Sequence, residues 1–91
     1  MSHVMKSQKK LLTRIRRIKG QASALESALE TNTDCIAVLQ QVAAIRGAVT
    51  GLMAELMEEH MREHLGADNV SPEQRKEDMD QVITVIRSYL K

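Results

Sequence analysis

The sequence predicts an all-α fold, and two observations carry that prediction. Apolar residues recur at alternating spacings of three and four, which is the period of a helix with one apolar face. These residues are Leu, Ile, Val, Met and Ala, most of which favour helices or pack compactly, while tryptophan and phenylalanine are absent. We therefore expect a three-helix protomer that forms a single domain over residues 1–91.

The helix ends are predicted from the apolar stripes and from capping residues. The first helix is expected over residues 5–29, because its apolar stripe ends at Leu29. The second is expected over about residues 34–65, with Thr33 as its N-cap and Gly66 as its C-cap. Ser71 is the predicted N-cap of a third helix of about 19 residues, which has a proline at its first position.

The second helix is too long and too apolar for a small monomer. A helix of about 30 residues spans about 45 Å, so much of its apolar surface would extend past its neighbours. Its two overlapping apolar stripes also indicate several helical neighbours. We therefore expect an antiparallel hairpin of helices 1 and 2 that pairs with a second copy as a four-helix bundle.

The single cysteine, Cys35, rules out an internal disulfide and favours an intracellular protein. The chain has no uninterrupted run of about 18 apolar residues and no signal-peptide core near its N-terminus. We therefore expect a soluble cytoplasmic protein without a membrane partner.

Three histidines and the cysteine form a candidate metal site split between two chains. His60 and His64 are four residues apart, but Cys35 would lie about 37 Å from His60 on the same helix. Antiparallel pairing of the hairpin puts His3 opposite His60. In a two-fold antiparallel dimer, Cys35 of the partner subunit then arrives beside both helix-2 histidines. The sequence therefore predicts two symmetric sites, each with three histidines and one cysteine.

These ligands suit a borderline divalent metal. Three imidazoles and one thiolate fit Ni, Co, Zn or Cu(II), and Glu63 is a candidate additional ligand or a residue that orients one. The alternative is that the histidine pair marks a solvated helix face and that Cys35 is a packing residue.

The charges are segregated along the chain. Seven of the 13 basic residues lie in the first 20 positions, and nine of the 12 acidic residues lie between positions 55 and 80. A basic ridge on helix 1 predicts salt-dependent contacts with nucleic-acid phosphates, whereas a merely solvated helix face is the alternative. The candidate DNA contacts are Lys10, Arg14, Arg17 and Gln21, with Arg46 on helix 2 as a further candidate.

Three segments resemble a known family: "LLTRIRRIKGQASALESAL", "DCIAVLQQVAAIRGAVTGLMAELMEEHMREH" and "VITVIRSYLK". They are similar to the CsoR/RcnR family of all-helical bacterial transcriptional repressors. The resemblance covers nearly the whole chain. It implies that hairpin dimers pair into a homotetramer, a dimer of dimers. It also implies a repressor, rather than an enzyme, that binds operator DNA in the apo form and leaves it when an inducer binds.

The residues that match within the family imply the inducer. The nickel/cobalt-sensing RcnR branch is similar at the N-terminal "MSH", Cys35, His60, Glu63 and His64. The formaldehyde-sensing FrmR branch matches Cys35 and His60 but generally lacks a histidine at the position of His64. The resemblance therefore implies Ni(II) or Co(II) as effector, and the ligand chemistry keeps Zn(II) as another candidate. We accordingly expect control of a metal-efflux gene. The alternative is a formaldehyde-responsive repressor that uses Cys35 and the N-terminal amine.

A different class is also open, namely a helical interaction module or metal buffer without a DNA role. A zinc hydrolase is disfavoured, because the chain lacks the H-E-x-x-H order and a helical bundle implies no concave pocket.

Overall fold

The computed structural model describes residues 8–31, 34–66 and 68–90. These residues form three helices: α1 (Gln8–Glu30), α2 (Cys35–His64) and α3 (Pro72–Tyr89). The described residues contain no strand, so the prediction of an all-α fold with three helices is confirmed. The predicted helix start at residue 5 and the predicted N-cap Thr33 lie outside the described residues.

The chain forms two compact units. The first, Ser7–Glu55, is called the hairpin unit here. The second contains Leu56–Lys91 and is called the carboxyl-terminal unit. The prediction of one domain over residues 1–91 stays a prediction.

In the hairpin unit, α1 runs antiparallel to the first two-thirds of α2. Lys10, near the start of α1, lies 3.0 Å from the Glu55 carboxylate at the far end of the unit. The predicted pairing of position 3 with position 60 differs from this register by less than one helical turn. Leu11 and Ala28, near opposite ends of α1, are its two buried residues and mark its packed face.

In the carboxyl-terminal unit, α3 begins as predicted. Ser71 has extended backbone angles, and its hydroxyl accepts a hydrogen bond from the backbone N–H of Gln74 at 3.1 Å. Val82 is buried on α3. Gly66 follows the end of α2 and donates its N–H to the carbonyl of Met61 at 3.0 Å. A Cβ at position 66 would lie 3.2 Å from the Arg62 carbonyl oxygen, so a side chain there would crowd the end of α2.

None of the 30 residues of α2 is buried within the single chain. Its exposed large apolar residues are Ile36, Leu39, Val42 and Val49. Leu39, Val42 and Val49 belong to one of the two stripes that the sequence shows. An apolar stripe left uncovered on a long helix is typical of an interface with another chain.

By length and composition alone, α2 would pass as a membrane-spanning helix, with a mean hydropathy of 1.4. The core helix of a soluble protein passes the same test. The apolar sequence of α2 is interrupted by three polar residues: Gln40, Gln41 and Arg46.

Candidate functional site

The structure brings two of the predicted metal ligands together. His60 and His64 lie one turn apart near the end of α2, and their ring centroids are 4.3 Å apart with the planes tilted by 31°. Both side chains are half-buried. Neighbouring imidazoles at this spacing on one helix can bind a single metal ion, so this pair fits the proposed chemistry.

A buried carboxylate on α3 contacts the second histidine. Asp78 Oδ2 lies 3.5 Å from His64 Nδ1, and Asp78 is only 6% exposed. Its other oxygen, Oδ1, accepts a hydrogen bond from Gln74 Nε2 at 3.0 Å. Histidines that bind metals commonly donate their second ring N–H to a carboxylate, which fixes the ring and its tautomer. At 3.5 Å the two atoms are beyond the ordinary hydrogen-bond distance, but Asp78 lies on the Nδ1 side of the ring, where a carboxylate favours the tautomer whose Nε2 lone pair binds a metal.

Asp78 was not predicted from the sequence, although a signal was present. It precedes the buried Val82 by four residues and so lies on the same face of α3. A carboxylate on a packed face needs a partner, because burying an unpaired charge is costly. The partners are Gln74 and His64.

The other predicted metal ligands are not brought to this pair within the described chain. His3 lies outside the described residues. Cys35 is exposed at the first residue of α2, 25 positions before His60 on the same helix. Glu63 lies half-buried between the histidines in sequence. Within residues 8–31, 34–66 and 68–90, no group of three or more His, Cys, Asp or Glu side chains is arranged to hold a metal.

Two of the predicted DNA contacts are held by one acid in the hairpin unit. Glu55 Oε1 accepts a hydrogen bond from Arg14 Nε at 2.8 Å, and Oε2 pairs with Lys10 Nζ at 3.0 Å. The Glu55 side chain is 18% exposed, against 68% for Lys10 and 39% for Arg14. The hydrogen bond from Lys10, and then that from Arg14, holds the pKa of the Glu55 carboxyl below its usual value, while partial desolvation opposes them.

A glycine on α2 makes room for Arg14. A Cβ at position 51 would lie 2.9 Å from Arg14 Nη1, whereas a Cβ at position 47 would meet nothing within 4 Å. A glycine inside a helix costs about 1 kcal/mol relative to alanine. Within the hairpin unit, the close neighbour of Gly51 is therefore the guanidinium of Arg14.

The remaining candidate DNA contacts differ in exposure. Arg17 and Arg46 are exposed. Gln21 is half-buried, and its side-chain oxygen is fully covered without a hydrogen-bond donor. The covered oxygen leaves only the side-chain N–H groups of Gln21 as candidate donors to a phosphate.

Comparison with known proteins identifies the class. Residues 7–88 match the family described as metal-sensitive transcriptional repressor, and the chain therefore belongs to this family of transcriptional regulators. The CsoR/RcnR resemblance is confirmed. Membership in a family of repressors implies DNA binding and oligomerisation.

Individual relatives match over the full length. The chain is 62% identical over 91 residues to a protein of Serratia marcescens described as an uncharacterized protein in the bioA 5′ region. It is 44% identical over 91 residues to the transcriptional repressor RcnR of Salmonella paratyphi B. In both cases the match covers 100% of each chain.

A solved structure of the same fold is a glutamate-to-histidine variant of the formaldehyde-responsive regulator FrmR from Salmonella enterica serovar Typhimurium. It matches with a TM-score of 0.89 and 46% identity, covering 96% of this chain and 98% of that one. RcnR and FrmR are thus similar to this chain at nearly equal identity.

Proposed function

We propose that this protein is a cytoplasmic, metal-responsive repressor whose apo form binds operator DNA as a homotetramer. Ni(II) or Co(II) releases it and so derepresses a metal-efflux gene. The observation that carries this proposal is the histidine pair. His60 and His64 lie side by side on α2, and the buried carboxylate of Asp78 lies 3.5 Å from His64 Nδ1.

The metal site that we propose is shared between two chains. His3, His60 and His64 come from one chain, and the fourth ligand is Cys35 of the partner subunit, with Glu63 as a candidate addition. The uncovered apolar stripe on α2 supports such a dimer, because another α2 running in the opposite direction would cover it. When bound, the metal would supply a tie between the two chains.

The basic ridge of α1 provides the proposed DNA surface. Phosphates would contact exposed basic side chains, so affinity should fall steeply as salt rises. The basic residues proposed for these contacts are Lys10, Arg14 and Arg17, with Arg46 in addition, and Gln21 is proposed to contribute through its side-chain N–H groups. Metal binding would weaken this contact by a coupling of about 1–3 kcal/mol, or roughly 5- to 150-fold in affinity.

Fluorescence anisotropy tests the proposal. A labelled duplex from the region upstream of the gene is titrated with reduced apo protein, and then Ni(II), Co(II) or Zn(II) is added in separate runs. We expect salt-dependent binding that Ni(II) or Co(II) reverses. Absence of DNA binding together with tight metal binding would support a metal buffer instead.

A second candidate function is repression released by formaldehyde, which the match to the FrmR structure favours. The Cys35 thiolate would attack the aldehyde carbon, and the N-terminal amine would then displace water to close a methylene bridge. Release of DNA by formaldehyde alone, with a mass gain of one carbon atom per chain, would support this function over metal sensing.

A further inference from the structure

Glu55 and Gly51 are arranged around the end of one arginine. Glu55 Oε1 accepts a hydrogen bond from Arg14 Nε at 2.8 Å, and the missing side chain at position 51 leaves the space beside Arg14 Nη1. These two α2 residues lie four positions apart, on one face of the helix. Together they form a fitted site for the guanidinium, called the arginine seat here.

The seat is poorly explained as a device for stability. Arg14 is 39% exposed, and ion pairs at such positions contribute little to folding. Gly51 also weakens helix formation relative to alanine. A Cβ at position 47 would meet no atom within 4 Å, whereas a Cβ at position 51 would meet Arg14. The space that Gly51 leaves is therefore occupied by the arginine. A costly glycine beside a weak ion pair suggests that the position of the side chain is what matters.

The seat leaves donors available for a ligand. Arginine has five N–H donors and lysine has three. Glu55 takes the Nε donor of Arg14 and one contact with Lys10 Nζ, and Lys10 remains 68% exposed. A phosphate can therefore be bound while Glu55 stays in place. Holding a flexible side chain before binding lowers the entropy lost on binding.

We infer that the arginine seat of Gly51 and Glu55 is a positioning device, which fixes Arg14 and Lys10 in the orientation that contacts a DNA phosphate. This inference rests on the proposed DNA-binding function and adds residues of α2 to it. Neither seat residue contacts DNA itself. Glu55 occupies only a few of the N–H donors of Arg14 and Lys10, so most remain available to a phosphate. Its role in this inference is to hold the two basic side chains next to each other.

A substitution that moves the arginine without changing any charge tests the inference. In Gly51→Ala, the new Cβ displaces the flexible end of Arg14, which can move at little cost to the fold. Gly47→Ala is the matched control, because the same methyl group on the same helix meets nothing within 4 Å in its own chain. Glu55→Gln removes the charge of the seat and keeps its shape.

The readout is the affinity of each apo protein for the labelled upstream duplex, measured at several salt concentrations. We expect Gly51→Ala and Glu55→Gln to bind about 2- to 10-fold more weakly, because their basic side chains are no longer ordered before binding. The slope of log affinity against log salt should become shallower by about 0.9 for each phosphate that the variant no longer neutralises. Gly47→Ala should match the wild type in both. Sedimentation of each variant checks that the assembly is unchanged.

The outcomes separate this inference from the proposed function. Wild-type protein without salt-dependent binding would overturn both. If the wild type binds the duplex and Gly51→Ala binds it equally well, only the inference about the arginine seat is overturned. Tighter binding by Glu55→Gln would also overturn it, because Glu55 would then compete with phosphate. If Gly51→Ala assembles abnormally, Glu55→Gln is repeated in an Arg14→Met, Lys10→Met background, where a positioning role predicts no additional weakening.

Discussion

The hairpin unit and the carboxyl-terminal unit carry opposite charge and opposite chemistry. Residues 7–55 contain seven basic and four acidic residues, whereas residues 56–91 contain five basic and eight acidic residues. The first unit offers guanidinium and ammonium groups, and the second offers two imidazoles. The proposed anion-binding residues thus lie in the hairpin unit, whereas the histidine pair of the proposed metal site lies in the carboxyl-terminal unit and only its cysteine ligand, Cys35, comes from the hairpin unit.

Both units nevertheless use the same local arrangement. In each, a largely buried carboxylate on one helix holds a nitrogen-bearing side chain of another: Glu55 holds Arg14, and Asp78 holds His64. The difference lies in the chemistry that each held side chain can offer. The arginine offers further donors to an anion, whereas the histidine can offer a ring lone pair to a metal. Substitutions at the histidine pair should therefore alter the metal response and spare apo DNA binding, whereas substitutions at Arg14 or Glu55 should do the reverse.

The largest expected effect comes from removing His64. In the wild type, Ni(II) or Co(II) should lower the DNA affinity by roughly 5- to 150-fold. In His64→Leu, the same metals should leave the DNA affinity unchanged. Apo DNA binding should be unchanged, because the basic ridge lies in the hairpin unit. Anisotropy with and without metal measures both. Glu58→Gln, an exposed residue of the same helix, is the control. A normal metal response in His64→Leu would contradict the split site.

A smaller effect is expected from Asp78. Asp78→Asn keeps the size of the side chain but weakens its hold on the His64 ring, so metal affinity should fall about 10- to 100-fold. Competition with a metal-binding dye measures that affinity directly. Asp80→Asn, on the same helix but exposed and paired with Lys76, should bind metal normally. Equal weakening in both variants would indicate a general charge effect instead of a specific contact.

Several features of the fold were predictable because they are encoded locally. The apolar period gives the three helices, and Ser71 caps α3 as its sequence context predicts. The spacing of His60 and His64 puts them on one helix face, where the structure has them. The position of the connection between helices 1 and 2 also predicted the antiparallel register of the hairpin to within one helical turn.

The two carboxylate contacts were harder to predict because they join distant segments. Arg14 and Glu55 are 41 positions apart. A register shift of three or four residues would have offered Glu58 or Glu59 to the arginine instead. The contact from Asp78 to His64 depends on how the chain between α2 and α3 orients α3, which apolar spacing does not specify. The proposed partner of α2 is a second copy, and the contacts between two copies depend on the shape of the folded surface, which residue spacing does not specify.

The N-cap of α3 should have a moderate effect on stability. Ser71→Ala removes the hydrogen bond to the Gln74 N–H, so the free energy of unfolding should fall by about 1 kcal/mol. Urea denaturation at one fixed protein concentration measures this, since oligomers are stabilised by concentration. Ser88→Ala, at the exposed end of the same helix, should change stability little. A loss of metal affinity in Ser71→Ala alone would further show that α3 supports the histidine pair.

The smallest effect concerns the pH dependence of Glu55. Because Lys10 and Arg14 lower the pKa of its carboxyl in the folded chain, the ionised form favours folding. That contribution is present above the ordinary glutamate pKa and is lost as the pH falls through the lowered folded-state pKa. Wild-type protein should therefore be slightly more stable than Glu55→Gln at neutral pH. The difference should vanish in acid and shrink in high salt, because the pair is partly exposed.

Urea denaturation of both proteins across the acid range measures this difference. If the stability difference instead widened as the pH fell, the pKa of Glu55 would be raised and not lowered in the folded chain. The cost of desolvating the carboxylate would then exceed the stabilisation by Lys10 and Arg14. Since the same carboxylate is proposed to position Arg14, a small stability difference beside a clear drop in DNA affinity would separate the two roles. The ion pair would then contribute mainly to orientation and only marginally to folding.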